Sequence, residues 1–258
     1  TKTKEREQVF AMSDTYYDTK VVIATKKANK ITSYYQLKGK TVGVKNGTAA
    51  QRFLQKNKDK YGYTIKTFDT SDLMNNSLST GAVDAIMDDQ PVIEYAIKQG
   101  QDLSINMEGE AVGSFAFGVK KDGSHENLIK QFNTALAQMK KDGTLDQIIE
   151  KWTGSSQSSS ATTTTASTTV VPETSTEAGQ KATPKKKKYK ISSDSSFAPF
   201  VFQNDQSKYT GIDMELIKAI AKDQGFTLEI SNPGFDAAVS DVQNGNADGM
   251  IAGMTVTD

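Results

Sequence analysis

On both sides of a Ser/Thr-rich tract, short unbroken apolar runs alternate with longer stretches whose apolar residues recur every three or four positions. Runs such as Val21-Val22-Ile23-Ala24 have strand length, whereas Ile212, Leu216, Ile217 and Ile220 share one helical face that ends at Gly225, where a left-handed cap is expected. The pattern predicts strands at 21–25, 41–44, 82–87, 115–119, 189–192, 226–230 and 247–256. It predicts helices at 49–57, 73–79, 92–98, 126–141, 145–152, 212–223 and 235–243. Such alternation implies α/β lobes with largely parallel sheets.

The pattern repeats itself once. Leu78-Ser79-Thr80-Gly81-Ala82-Val83-Asp84-Ala85-Ile86-Met87 has the same form as Val242-Gln243-Asn244-Gly245-Asn246-Ala247-Asp248-Gly249-Met250-Ile251: a helix end, a glycine cap, then Asp opening a buried strand. Each segment thus carries a copy of a similar unit, and two lobes around a cleft can enclose a ligand. The chain reads as one fold in reversed order, because Gly253-Met254-Thr255-Val256-Thr257-Asp258 follows an apolar run that Thr1-Lys2-Thr3-Lys4-Glu5-Arg6 would continue. The expected division gives lobe 1 residues 1–20, 114–154 and 189–258, and lobe 2 residues 21–113. Residues 155–188 link the pieces, with Ser158-Ser159-Ser160 and 162–165 too poor in apolar side chains to offset ordering entropy. Such a disordered linker spans about 30 Å, enough to join two ends of one folded body. Pro184 and the lysines at 185–188 read as a solvated spacer, or else as a contact for an anionic membrane or cell wall.

Composition narrows the function. The 31 basic and 31 acidic residues leave no global field for nucleic acid, and no apolar run approaches the ~18 residues of a membrane span. The absence of cysteine excludes disulfides and thiol catalysis. No signal peptide is seen, though a chain that begins mid-fold would have lost it. His125, the single histidine, sits at an expected helix N-terminus, and no His cluster, phosphate loop or nucleophile elbow is present. A non-enzyme without cofactor or metal is expected.

A family resemblance then becomes specific. Ser193-Asp194-Ser195-Ser196-Phe197-Ala198-Pro199-Phe200, Tyr209-Thr210-Gly211-Ile212-Asp213-Met214-Glu215-Leu216, Gly234-Phe235-Asp236, Gly245 with Asp248, and Ala252-Gly253-Met254-Thr255 resemble the N-terminal part of polar amino-acid solute-binding proteins of ABC importers. Ser13-Asp14-Thr15-Tyr16-Tyr17, Leu37-Lys38-Gly39-Lys40, Val44-Lys45-Asn46-Gly47-Thr48, Asp88-Asp89-Gln90-Pro91 and Asp142-Gly143-Thr144 with Trp152 resemble the remainder. The likeness is to glutamine/asparagine-binding domains, including those fused in tandem to Gram-positive transporters. It implies a type II periplasmic-binding-protein-like fold in circularly permuted order. Thr255-Val256-Thr257-Asp258 and Thr1-Lys2-Thr3-Lys4 both match the family's Thr-x-Thr-Asp-x-Arg run, so a fragment of a tandem pair and an engineered permutant both stand open.

What the resemblance implies can be written residue by residue. A free amino acid needs an arginine fork for its carboxylate, a carboxylate for its ammonium and a selective wall. Arg6 would clamp the ligand carboxylate, with Ala252, Gly253 and Thr255 completing the contacts, and Asp89 would pair the ammonium. Asp88 would face the ligand side chain, which Phe197 and Phe235 would sandwich. Asp194 and Lys45 would serve a side-chain amide as acceptor and donor, and Thr48 and Ala49 would add backbone donors at a helix N-terminus. Arg52 reads as a solvated helix residue. Lobe closure, hinged at 18–21 and 113–115, would couple capture to docking on the transporter's membrane subunits. The expected setting is extracytoplasmic, at the cell surface or in the periplasm, tethered to the transporter, as a monomer or a domain-swapped dimer. A sensory amino-acid-binding module and, further off, a dehydratase on the same fold are the alternatives.

Overall fold

A computed structural model describes residues 9–154 and 186–256. Arg6, the N-terminal Thr-rich run and linker residues 155–185 lie outside the described residues. Two βαβαβ units of the same topology lie at opposite ends of one sheet. In the first, β2 (Thr41–Lys45), α1 (Ala49–Tyr61), β3 (Thr64–Phe68), α2 (Ser71–Ser79) and β4 (Ala85–Asp89) place β2 in parallel between β3 and β4. In the second, β7 (Lys188–Ser192), α6 (Ile212–Gln224), β11 (Thr227–Ser231), α7 (Phe235–Asn244) and β12 (Gly249–Val256) place β7 in parallel between β11 and β12.

The repeated sequence motif does the same job in both units. Asp84 donates its N–H to Thr41 O at 2.9 Å and accepts the Thr41 N–H at 2.7 Å, and Asp248 makes the corresponding bonds to Lys190 at 2.8 and 2.7 Å. Ser77 O and Asp241 O each take two N–H groups from the turn that precedes, at 82–83 and 246–247. That turn delays β4 to Ala85, where apolarity alone predicts a strand from 82.

The expected largely parallel sheets are instead one large mixed sheet among the described residues, ordered β11-β7-β12-β6-β1-β4-β2-β3 with β1 at Phe10–Thr25 and β6 at Glu110–Lys120. The short β5 (Ser104–Ile105) pairs with β1, and β8 (Ser196–Phe197), β9 (Val201–Gln203) and β10 (Tyr209–Thr210) form a small separate antiparallel sheet. The middle of the large sheet is antiparallel because β1 and β6 run the length of both halves against each other, whereas the parallel pairs arise where a helix crosses over. β1 pairs β6 from Phe10 to Val21 and turns to β4 from Val21 to Ala24. The residues expected as hinges face each other across this ladder, Asp18 opposite Ser114 and Thr19 opposite Gly113. β12 joins β6 through Met254↔Ala116 and Thr255↔Phe115, so the segment after the linker is knit into the sheet of the segment before it.

The buried apolar residues form four clusters, two at each end of the sheet, with Val92 joining the cluster of Phe115 and Ile217. One pair of clusters gathers Val21, Ile23, Val44, Leu54 and Met87, with Val22, Met74, Ile86 and Ile93. The other gathers Phe115, Phe117, Phe132, Tyr189, Phe200 and Ile217, with Phe10, Val242 and Met250. The helices α3 (Gln90–Lys98) and α4 (Glu126–Asp142) pack on the sheet, and α5 (Thr144–Thr153) packs against α3, α4 and α6. His125 is the N-cap of α4, and its Nε2 lies 2.7 Å from Asp248 Oδ1.

Candidate functional site

Each predicted site residue within the described stretches lines one cavity. Lys45, Thr48 and Ala49 come from the β2–α1 junction and Asp88 and Asp89 from the end of β4. Asp194 and Phe197 come from the loop after β7 and the short β8 (Ser196–Phe197), Phe235 from the start of α7, and Ala252, Gly253 and Thr255 from β12. Asn46 and Gly47 complete the lining. The two segments flanking the linker therefore supply opposite walls.

Local chemistry explains the loop before α1. Thr48 caps that helix by accepting the Gln51 N–H at 3.2 Å while its hydroxyl donates to Lys45 O at 2.8 Å. This folds the chain tightly after β2 and aims Lys45 and the helix N-terminus at one space. Arg52, expected solvated, is half-buried on α1.

At one end sit two buried carboxyls. Asp89 accepts the Thr19 hydroxyl at 2.6 Å, and Asp88 accepts the Asp89 N–H at 2.9 Å and the Ser71 hydroxyl at 3.1 Å. Burial first, then the charge of Asp88, pushes Asp89 up to about 7, against the pull of the Thr19 bond. Burial also raises Asp88, countered by the Asp89 amide. Negative charge held this far from water favours a cation arriving from the cavity.

At the other end Lys45 and Asp194 bridge the walls. The ammonium donates to Asp194 Oδ2 at 2.8 Å and to Ser196 O at 3.3 Å, and Asp194 Oδ1 accepts the Ser196 N–H at 3.0 Å. Donor and acceptor, expected to serve a ligand amide separately, here meet each other. Between the ends, Phe197 stacks on Phe200 at 4.9 Å and meets Phe115 edge-on at 5.8 Å, which fixes its ring, while Phe235 is half-buried.

The cavity holds about 30 Å³. Beyond Lys45 and Asp194 a second space of about 460 Å³ opens, sharing Lys45, Asn46, Asp194 and Phe235 and adding Asp69, Ser195, Asn232 and Asp236. Sequence reasoning missed the roles of Thr19 and Asp213, which stand behind the lining: Asp213 lies in one of the family motifs, but the partners of both residues are far along the chain, so local sequence does not show what they hold. Among the described residues, no three His, Asp or Glu side chains gather as metal ligands, and no helix is long and apolar enough to cross a membrane.

Known proteins share this organisation. The model of the bacterial extracellular solute-binding proteins, family 3, matches residues 1–155 and 189–258. The L-cystine-binding protein TcyJ of Escherichia coli K12 is 33% identical over 58% of this chain and 56% of its own length, so the chain spans just over half the length of that curated relative. Substrate-binding domain 2 of Lactococcus lactis GlnP, solved in an open conformation, is 44% identical over 60% of this chain and 67% of that one, with a TM-score of 0.47. An ancestral arginine-binding protein bound to glutamine is 35% identical over 60% of this chain and 68% of that one, with a TM-score of 0.54. With a family match on both sides of the linker and the two-lobed α/β fold, this chain belongs to family 3 of the bacterial extracellular solute-binding proteins.

Proposed function

We propose that this chain captures glutamine or asparagine between its lobes, as the extracytoplasmic binding unit of an amino-acid ABC importer, tethered to that transporter. The carrying observation is a cavity with walls from both segments, buried carboxyls at one end and a donor–acceptor pair at the other. Asp89 takes the ligand ammonium and Arg6 its carboxylate, with Ala252, Gly253 and Thr255 completing the contacts. Phe197 and Phe235 flank the aliphatic stem, and Lys45 and Asp194 serve the amide. A relative bound to glutamine at 35% identity supports this class.

Size supports closure. A space of about 30 Å³ admits little more than a water or two, so the lobes part to admit an amino acid and close on it. The strand crossings at 18–21 and 113–115 are the hinge of this movement, with residues 21–113 moving as one lobe. Residues 189–258 and 1–154 serve one site in reversed order, and the closed form presents its surface to the transporter's membrane subunits.

Calorimetry with glutamine and asparagine tests this reading, with Arg6→Ala and Asp89→Ala as variants. The parent binds at least one of the two, and each variant loses binding while keeping its circular dichroism. A folded variant that binds like the parent removes its residue from the site, and a parent that binds neither amide removes the substrate class.

A further inference from the structure

Asp213, in the first turn of α6, has no exposed surface and does not line the cavity. Its Oδ2 accepts the Gly253 N–H at 3.1 Å. From β1 the buried phenol of Tyr16 faces the same carboxyl and the same amide, yet neither its hydroxyl nor Asp213 Oδ1 completes a well-formed hydrogen bond. Burying a carboxyl this way is costly unless hydrogen bonds offset the lost hydration, so the one bond it makes carries weight.

What depends on it is a break in the sheet. β12 is in register with β6 at Met250↔Gly118 and again at Met254↔Ala116, so residues 251–253 bulge out of the ladder. Two side chains replace the missing strand partners: Ser193 donates its hydroxyl to Ile251 O, and Asp213 accepts the Gly253 N–H. In a trans peptide the carbonyl lies opposite the N–H, so the bond to Asp213 also fixes the Ala252 carbonyl on the side away from α6. Ala252 and Gly253 line the cavity, and the Phe197 ring lies directly on Gly253.

We infer that Asp213 is a positioning residue for ligand capture: through the Gly253 N–H it holds the bulged 252–253 peptide in the pose that faces the ligand and seats Phe197. This rests on the amino-acid-binding reading above. Tyr16 on β1 is the titratable group that faces Asp213, while Glu215 on the same helix is turned to Lys151 and Trp152. Burial pushes the Asp213 carboxyl up to about 7 against the pull of Tyr16 and the Gly253 amide, so its charge changes in an accessible range.

The test follows the Gly253 amide in ¹⁵N-labelled protein and the affinity for glutamine by calorimetry. In the parent, the Gly253 amide proton titrates near pH 7. Asp213→Asn keeps an acceptor but loses that titration and binds about threefold more weakly, since a neutral acceptor is roughly half as strong as a charged one. Asp213→Ala leaves the amide unpaired and binds at least about tenfold more weakly under conditions where circular dichroism shows it folded. The inference is overturned if Asp213→Asn titrates at Gly253 like the parent, or if folded Asp213→Ala binds glutamine like the parent. Should Asp213→Ala not fold, the asparagine variant decides alone. A parent that binds no amino acid defeats the functional reading, while the Gly253 titration still decides whether Asp213 controls that peptide.

Discussion

Lys45 and Asp194 stand 149 positions apart in the chain, on opposite walls of the cavity, and meet at 2.8 Å with side chains 9% and 6% exposed. Removing one partner of a buried pair strands the other charge, at a cost of about 3–5 kcal/mol in a rigid interior. Here the molecule has an escape, because parting the lobes returns Lys45 to water. Asp194→Asn therefore favours the open form: the radius of gyration from X-ray scattering of the unliganded protein rises, and glutamine affinity drops by at least about tenfold, or 1.4 kcal/mol. An unchanged radius in a stable variant means the pair does not hold the lobes together.

Asp89 gives the site a definite pH response. Its carboxyl titrates near 3.8 when unfolded and at about 7 in the fold, so across that window the fold holds a proton the unfolded chain has lost. Stability of the unliganded protein consequently falls as pH rises from about 4 to 7, by up to something on the order of 4 kcal/mol from this group. Asp213 acts in the same direction, so Asp89→Asn removes only part of the fall. A ligand ammonium favours the ionised form, so affinity climbs between pH 5 and 7 and levels off above. Melting curves and calorimetry across pH 4–8 check both signs: Asp89→Asn melts higher than the parent at pH 8 and shows a flatter affinity profile.

How much of this was legible depended on whether the signal was local. Lys45, Thr48, Asp88, Asp89, Asp194, Phe197 and Gly253 each sit in one of the short motifs that carry the family resemblance, at a strand end or helix start, and the cavity gathers them. The duplicated Asp84 and Asp248 were legible from the internal repeat. The first half of β1 was not, because Phe10–Lys20 mixes polar and apolar residues with register shifts near Thr15, Tyr17 and Lys20 that blur its alternation. Nor was β3, an edge strand whose Thr64, Lys66 and Thr67 are all exposed. The Lys45–Asp194 bond and the Thr19 and Asp213 supports are products of tertiary structure, since each joins residues far apart in the chain.

Gly253 is held at φ +56 beneath the Phe197 ring. A side chain at such a φ costs about 1–2 kcal/mol by itself, and a methyl would also press into a ring fixed by Phe200 and Phe115. Gly253→Ala lowers the melting temperature by about 5–10 °C, as expected for a loss of roughly 2–4 kcal/mol in a protein of this size, and abolishes glutamine binding. Gly39→Ala is the control, at φ +74 with nothing within 4 Å of the added carbon. It carries only the backbone penalty and binds normally; equal losses in both variants would remove Phe197 from the explanation.

A ligand longer than glutamine would extend past Lys45 and Asp194 into the larger space, where its charge would meet a different lining. Those two cancel, which leaves the carboxylates of Asp69 and Asp236, both exposed, to set the sign of that space. Arginine and citrulline separate charge from shape, since they are nearly isosteric and differ by one positive charge. Exposed carboxylates contribute up to about 1 kcal/mol each, so the parent prefers arginine to citrulline by about tenfold at low salt. In the Asp69→Asn/Asp236→Asn protein the ratio approaches one, and in 1 M salt, where charges are screened within about 3 Å, the parent's preference collapses likewise. Glutamine, which ends at the ion pair, binds both proteins alike. A parent with equal affinity for arginine and citrulline would show that the acidic rim does not sense the ligand, and selection would then rest on Lys45 and Asp194 alone.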